Sequence, residues 1–400
     1  MKRALYIGNF SFPTGNASGK RVYANGKALR ELGYEVLYIG LAKGEQGNSL
    51  KDSESEHDGF KYYNLPYPRG LEWLNYKSTY RSVVDFLKQQ DLIKDTHLVV
   101  LYGSPSLSPF NMLLLKFCRR NNIKVVADCV DWLSAETGNP FFNVVKRFDN
   151  AYQKAYVNKR TDGVIAISKY LADYYRKAGC KTVIIPPLSP AHDASKRLGN
   201  TNENEKVITY AGQPFRLGKP VVDVKTLKDR IDKTIIMLTA AKEEGCEFIF
   251  NVYGLTKEEY LQAIPSQLPY IEDLGSSIFF HGLTPNEIVV KRIAESDFTI
   301  LVRDVNRGTG AGFPTKVSES ISCGTPVITT NTSDLDDYIQ EGINGYFIEH
   351  DMGAATRKIV HILNQNRNDV ARMKSQCIDS RIFHYAKYVD RLSGFLEQVL

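Results

Sequence analysis

Short apolar runs alternate with amphipathic stretches along almost the whole chain. The runs at 3–8, 35–39, 97–102, 124–127, 163–168, 207–211, 247–253 and 298–302 are near-continuous blocks rich in Val, Ile, Leu, Tyr and Phe. Such blocks are expected of parallel strands buried on both faces. Between them apolar residues share one helical face, as at Val22, Ala28, Leu29 and Leu32, before a stop such as Gly33. The same patterns predict strands at 59–68, 182–187, 278–280 and 326–330, and helices at 75–89, 111–120, 141–159, 229–244, 285–296, 354–364 and 384–400. Residues 255–275 read as a helix and a polar loop. Pro186 and Pro187 open a polar run with the composition of a linker, so one α/β domain is expected over 1–188 and a second over 205–383.

Composition narrows the partners. A hydrophobic content of 43% over 400 residues suffices for two cores. Lys and Arg (51) exceed Asp and Glu (45) without a polybasic block, which suits nucleotide phosphates or an anionic membrane surface and argues against a nucleic-acid binder. Six cysteines lie far apart, with no C-x-x-C pair, as in the reduced core of a cytoplasmic protein. The first residues lack the apolar core of a signal peptide, and no run approaches the roughly 18 apolar residues of a membrane span. The expected location is cytoplasmic, with peripheral contact at the inner face of the plasma membrane.

The densest candidate chemistry lies at 303–346. A strand, a glycine-rich loop and a helix opening at Thr315 form an anion site, because unpaired N–H groups and the positive dipole end point to one place. Glu319, one turn into that helix, is placed to accept hydrogen bonds from a ribose. After the first strand, Gly15 and Gly19 permit close backbone approach. A triphosphate P-loop is excluded there, since Thr14 stands where its first glycine belongs and Arg21 where its hydroxyl belongs. Arg216 and Lys219 follow the strand 207–211, where two cations would face a diphosphate; the other reading of both is solvated surface charge. Asp128 and Asp131, just past the strand 124–127, read either as acceptor-side carboxylates or as caps. His281 reads as a hydrogen-bonded loop residue. Aromatics interleaved with Lys77, Arg81 and Lys88 make helix 75–89 either a membrane-resting element or an ordinary amphipathic helix.

The order of these motifs resembles the GT-B glycosyltransferases, and among them the retaining family 4 enzymes. VIAIS with IIPP, YAG with a downstream lysine, HGL before a helix, GFPTKVSESISCGTPVI and GINGYFI all stand in family order. The resemblance implies two Rossmann-like domains facing across a cleft, the first completed by the C-terminal helix 384–400. It implies a retaining, metal-independent transfer of sugar from a UDP- or GDP-linked donor, without cofactor, to a glycan, lipid-linked or protein-linked acceptor in bacterial-type polysaccharide or glycoconjugate synthesis. Lys219, Arg216 and Asp131 would serve catalysis. The donor would meet Glu319, Thr315, Lys316, Gly312, Phe313, Pro314, Gly212 and Arg303, and the acceptor side would comprise Gly15, Asn16, Gly19 and Asp128. Five positions depart from the family: Ala311 replaces its first glutamate, Pro314 the small residue after its phenylalanine, Gln213 its arginine and Val130 its histidine, and Lys316 is an extra cation at the helix start. Two other readings stay open: a GT-B sugar-nucleotide epimerase, which would share the nucleotide site, and a non-catalytic nucleotide-sugar-binding subunit, which Ala311 favours.

Overall fold

The computed structural model describes residues 2–13, 16–42, 55–132, 140–189, 205–218, 221 and 223–400, in two compact units. The first comprises Met1–Ser189, Ala311–Phe313 and Tyr385–Leu400, and the second Pro190–Gly310 and Pro314–His384.

In the first unit, strands β1 (Lys2–Gly8), β2 (Tyr34–Ala42), β3 (Ser55–His57), β4 (Phe60–Pro66), β5 (Thr96–Tyr102), β6 (Lys124–Cys129), β7 (Gly163–Ala166) and β8 (Thr182–Ile184) form one sheet in the order 3-4-2-1-5-6-7-8. All neighbours are parallel except the β3–β4 hairpin. Successive side chains of a strand point to opposite faces, and both faces are buried. Ala4, Tyr6, Tyr38, Leu98, Val100 and Val126 pack beneath helix Ala17–Glu31 and helix Val389–Val399. Leu5, Ile7, Leu37, Val99 and Leu101 pack beneath helices Tyr76–Gln89 and Pro109–Arg120. Helix Val389–Val399 lies so close that a Cβ on Gly163 would come within 2.6 Å of Phe395 and 2.8 Å of Val399. Arg391 and Lys181 fasten it further, through the carbonyls of Ile184 and Gln398.

The second unit holds a six-stranded parallel sheet of β9 (Lys206–Ala211), β10 (Phe248–Tyr253), β11 (Ile278–Phe280), β12 (Phe298–Leu301), β13 (Val327–Thr330) and β14 (Gly345–Ile348), ordered 11-10-9-12-13-14. Strand order reverses at β9, and its loop and that of β12 form the switch point where open α/β sheets bind ligands. Helices Ile231–Glu243 and Met352–Leu363 pack together, as do Thr315–Ser322, Asn286–Glu295 and Arg367–Ser380.

Several expectations need correction. The glycine-rich loop before Thr315 contains a short helix, Arg307–Ala311. Asn306 and Thr309 cap it reciprocally, with Thr309 N–H donating to Asn306 Oδ1 at 3.0 Å and Asn306 N–H donating to Thr309 Oγ1 at 2.9 Å. The helix expected from 229 starts at Ile231, because Asp229 is drawn into an ion pair. The helix expected over 141–159 gives way to a π turn at Gln153–Val157. Helix Arg367–Ser380 and strand β14 were not predicted.

Candidate functional site

The second unit gathers its charge around one buried carboxylate. Asp229, 3% exposed, accepts from Arg303 Nε at 2.7 Å, from Tyr210 Oη at 3.0 Å and from Lys316 Nζ. Each partner comes from a different element: Tyr210 from β9, Arg303 from the end of β12, and Lys316 from the first turn of helix Thr315–Ser322. Arg303 is locked in place, exchanging backbone bonds of 2.8 and 2.7 Å with the Thr330 hydroxyl. Glycine makes room for Lys316, since a Cβ on Gly212, at φ +152°, would lie 2.4 Å from the ammonium. Behind it, Gly254 at φ +108° lies against Gly212, and a Cβ there would meet the Gly212 carbonyl oxygen at 2.6 Å.

The electrostatics follow. Burial pushes the Asp229 carboxyl up, but Lys316 and Arg303 together outweigh it and hold the group well below the usual carboxylate range. Burial lowers the Lys316 ammonium from its ordinary value, assisted by Arg303 and opposed by Asp229. Two cations thus share one carboxylate. The adjacent set of Arg230 and Lys233 with Asp232 and Asp304 is balanced, two against two, so it does not absorb the excess. A positive centre beside a helix N-terminus, where Pro314 caps without a side-chain bond, is suited to an anion. Among the described residues no group of three or more His, Cys, Asp or Glu side chains could hold a metal ion.

The remaining donor-side candidates spread around this centre. Thr315 and Glu319 are half-buried on the same helix, one turn apart, whereas Arg216 is exposed. Lys219 lies outside the described residues. Pro314 is buried in the second unit, while buried Gly312 and Phe313 group with the first. Asp229 itself was missed. Its signal was an acid just before an apolar helix, in a chain where a buried Asp requires a partner.

The first unit answers differently. Asp128, 3% exposed, pairs with Arg21 through Nε at 3.0 Å and Nη2 at 2.7 Å, and accepts from Tyr6 Oη and from Asn25 Nδ2 at 3.2 Å. Arg21 Nη1 also donates to the carbonyls of Ile185 and Pro186 at 3.0 and 3.2 Å. Burial works against the Arg21 charge, but Asp128 outweighs it and raises the guanidinium above its ordinary value. Asp128 is therefore a brace between β6, helix Ala17–Glu31 and the end of β8, which takes up the oxygens expected to meet an acceptor. Asn16 caps helix Ala17–Glu31 by accepting from Gly19 N at 2.8 Å, and a Cβ on Gly19 would lie 2.2 Å from the Ser11 carbonyl. The close approach at Gly19 is thus to the chain's own backbone, and Gly15 lies outside the described residues. Asp131 is exposed and borders a cavity of about 90 Å³ with Asn150, Gln153 and Lys154.

His281 is held as expected of a loop histidine, with Nε2 2.7 Å from Asn251 Oδ1 and its ring stacked on Tyr253. Helix Tyr76–Gln89 buries Val83, Val84, Phe86 and Leu87, as an amphipathic helix does.

Comparison with known proteins turns on the same region. Residues 205–365 match the family described as glycosyl transferases group 1. The whole chain superposes on sucrose-phosphate synthase from Thermosynechococcus elongatus with a TM-score of 0.67 at 14% identity, covering 100% of this chain and 99% of that one. The chain has the GT-B fold. Two further GT-B structures agree. Starch synthase IV of Arabidopsis thaliana, bound to ADP and acarbose, gives a TM-score of 0.68 at 13% identity, with 100% and 99% of the chains covered. A trehalose-6-phosphate structure from E. coli, bound with UDP-2-fluoro glucose, gives 0.66 at 10% identity with both chains fully covered. A search of the curated proteins finds no match.

Proposed function

We propose that this GT-B chain is a glycosyltransferase in which the second unit holds a nucleotide-sugar and the first an acceptor. The observation that carries the reading is the excess cation at Asp229, Arg303 and Lys316, set against the start of helix Thr315–Ser322 within the segment matching glycosyl transferases group 1. A sugar carbon bearing a nucleoside diphosphate is already activated, and catalysis consists mainly of stabilising the leaving group. In this reading Lys316, with Lys219 and Arg216, neutralises the departing diphosphate, Arg303 holds Asp229 so that Lys316 stays in place, and Glu319 binds the ribose.

The transfer retains anomeric configuration and needs no metal. The bond from the anomeric carbon to the diphosphate oxygen breaks, the bond to the acceptor oxygen forms on the same face, and the acceptor proton passes to the departing phosphate oxygen. Asp131 orients the acceptor hydroxyl. The acceptor is a glycan, a lipid-linked sugar or a glycoprotein, in polysaccharide or glycoconjugate assembly.

The test is nucleotide release from UDP-, GDP- and dTDP-sugars with and without glycan or lipid acceptors. Acceptor-dependent release that collapses in Lys219→Ala while nucleotide binding falls less is the expected result. Sugar epimerisation without release would make the protein an epimerase, and donor binding without turnover would make it a binding subunit.

A further inference from the structure

Helix Pro140–Tyr152 and the π turn Gln153–Val157 carry two chemistries on adjacent faces. Inward, Asp149 Oδ1 accepts from the Ser108 backbone at 2.7 Å and its hydroxyl at 2.5 Å, and Gln153 Oε1 accepts from Asn111 at 2.9 Å. Asn150, Gln153 and Lys154 line the cavity bordered by Asp131. Outward, every fourth residue is a large apolar or aromatic one standing in solvent: Val144 is 50% exposed, Phe148 73%, Tyr152 36% and Tyr156 39%. Tyr152 and Tyr156 stack on each other with centroids 5.0 Å apart. Single exposed apolar residues need no explanation, but a row at helical repeat marks a surface that meets something.

Charge says what. Between 140 and 160 stand five basic residues (Lys146, Arg147, Lys154, Lys159, Arg160) and one acid; Lys154 is turned inward over the Trp132 ring and Asp149 inward to Ser108, which leaves Arg147 and Arg160 as the exposed charges along the row. Arg147 is exposed beside Phe148, and the Arg160 guanidinium lies 3.4 Å from the centre of the Tyr156 ring. A second copy laid on this face would set basic against basic. An anionic lipid surface would accept the apolar row and neutralise its flanks at once. No helix among the described residues is long and apolar enough to cross a membrane, so the contact is lateral.

We propose that this helix lies in the surface of an anionic bilayer, and that the acceptor reaching the Asp131 cavity is lipid-anchored. The second half rests on the transferase reading; the first does not. The membrane element is thus this helix, in place of Tyr76–Gln89.

The test is cosedimentation of the full chain with vesicles of phosphatidylcholine alone or mixed with phosphatidylglycerol. Binding to the mixed vesicles only is expected. It should weaken about tenfold or more in Phe148→Glu, and about fivefold for each charge removed in Arg147→Gln and Arg160→Gln, with added salt erasing the latter difference. Unchanged nucleotide release to a soluble acceptor in Phe148→Glu would show the variant folded and leave the transferase reading standing. The proposal is overturned if the protein stays in solution with both vesicles, if Phe148→Glu binds as well as the unaltered chain, or if Phe148→Glu only dissociates a dimer.

Discussion

Each unit buries a carboxylate near the carboxyl ends of its strands and surrounds it with a tyrosine hydroxyl from its first strand and an arginine: Tyr6, Asp128 and Arg21 in one, Tyr210, Asp229 and Arg303 in the other. The difference is Lys316. In the first cluster charge balances and both partners are nearly sealed, with side chains 3% and 0% exposed. In the second a further cation joins the pair and keeps 27% of its side chain open. A balanced buried pair holds elements together. An unbalanced, open one also invites an anion, because the excess charge gains most when a counter-charge arrives.

The comparison breaks most sharply in the sealed cluster. Asp128→Ala strands the Arg21 charge and should cost about 3–5 kcal/mol, read from the urea midpoint; a loss under about 1 kcal/mol would deny Asp128 its bracing role. Lys316→Ala should invert the pattern. Arg303 still satisfies Asp229, so the urea midpoint should move little, while nucleotide affinity falls by about 2–3 kcal/mol, roughly 30 to 150-fold by calorimetry. Glu319→Ala should weaken nucleotide binding about tenfold, the worth of one or two hydrogen bonds to a charged group; an unchanged affinity would remove the ribose role.

pH sharpens the contrast further. Because Lys316 titrates below its ordinary 10.5 in the fold, the unfolded chain holds more protons between the lowered value and 10.5. Stability from this group should therefore rise with pH across that window, while nucleotide affinity falls as the ammonium discharges. Lys316→Met should flatten both slopes. The smallest effect concerns the core of the first unit. Burial pushes the Cys118 and Cys129 thiols up to about 12, so neither should alkylate at pH 8 until the protein is unfolded.

Most strands were legible because buried parallel strands leave blocks of apolar residues; β14, only four residues long and opened by a glycine, and the polar three-residue β3 leave no such block. Helix Arg367–Ser380 was not legible either, since only Val370, Met373 and Cys377 are buried among its fourteen residues and the apolar face is too sparse to read. At the candidate site, Lys316 and Glu319 could be read because local spacing fixes them on one helix. Asp229 could not, because its partners lie 19, 74 and 87 residues away and only the fold brings them to one carboxylate. Arg21 shows the same limit in reverse: it was noted only as the residue that spoils a P-loop, while its partner Asp128 lies 107 residues on.

Helix Val389–Val399, which seals one face of the first sheet, has a consequence for synthesis. The usual order, in which an N-terminal domain folds while the rest is still being made, is closed to this chain. At about 5–20 residues per second the ribosome needs on the order of 10–40 s to travel from Ser189 to Tyr385. Through that interval Gly163, Ile165 and Val183 wait without their cover. The half made first is the half finished last, and in that interval its uncovered sheet face is an apolar surface of the kind chaperones bind.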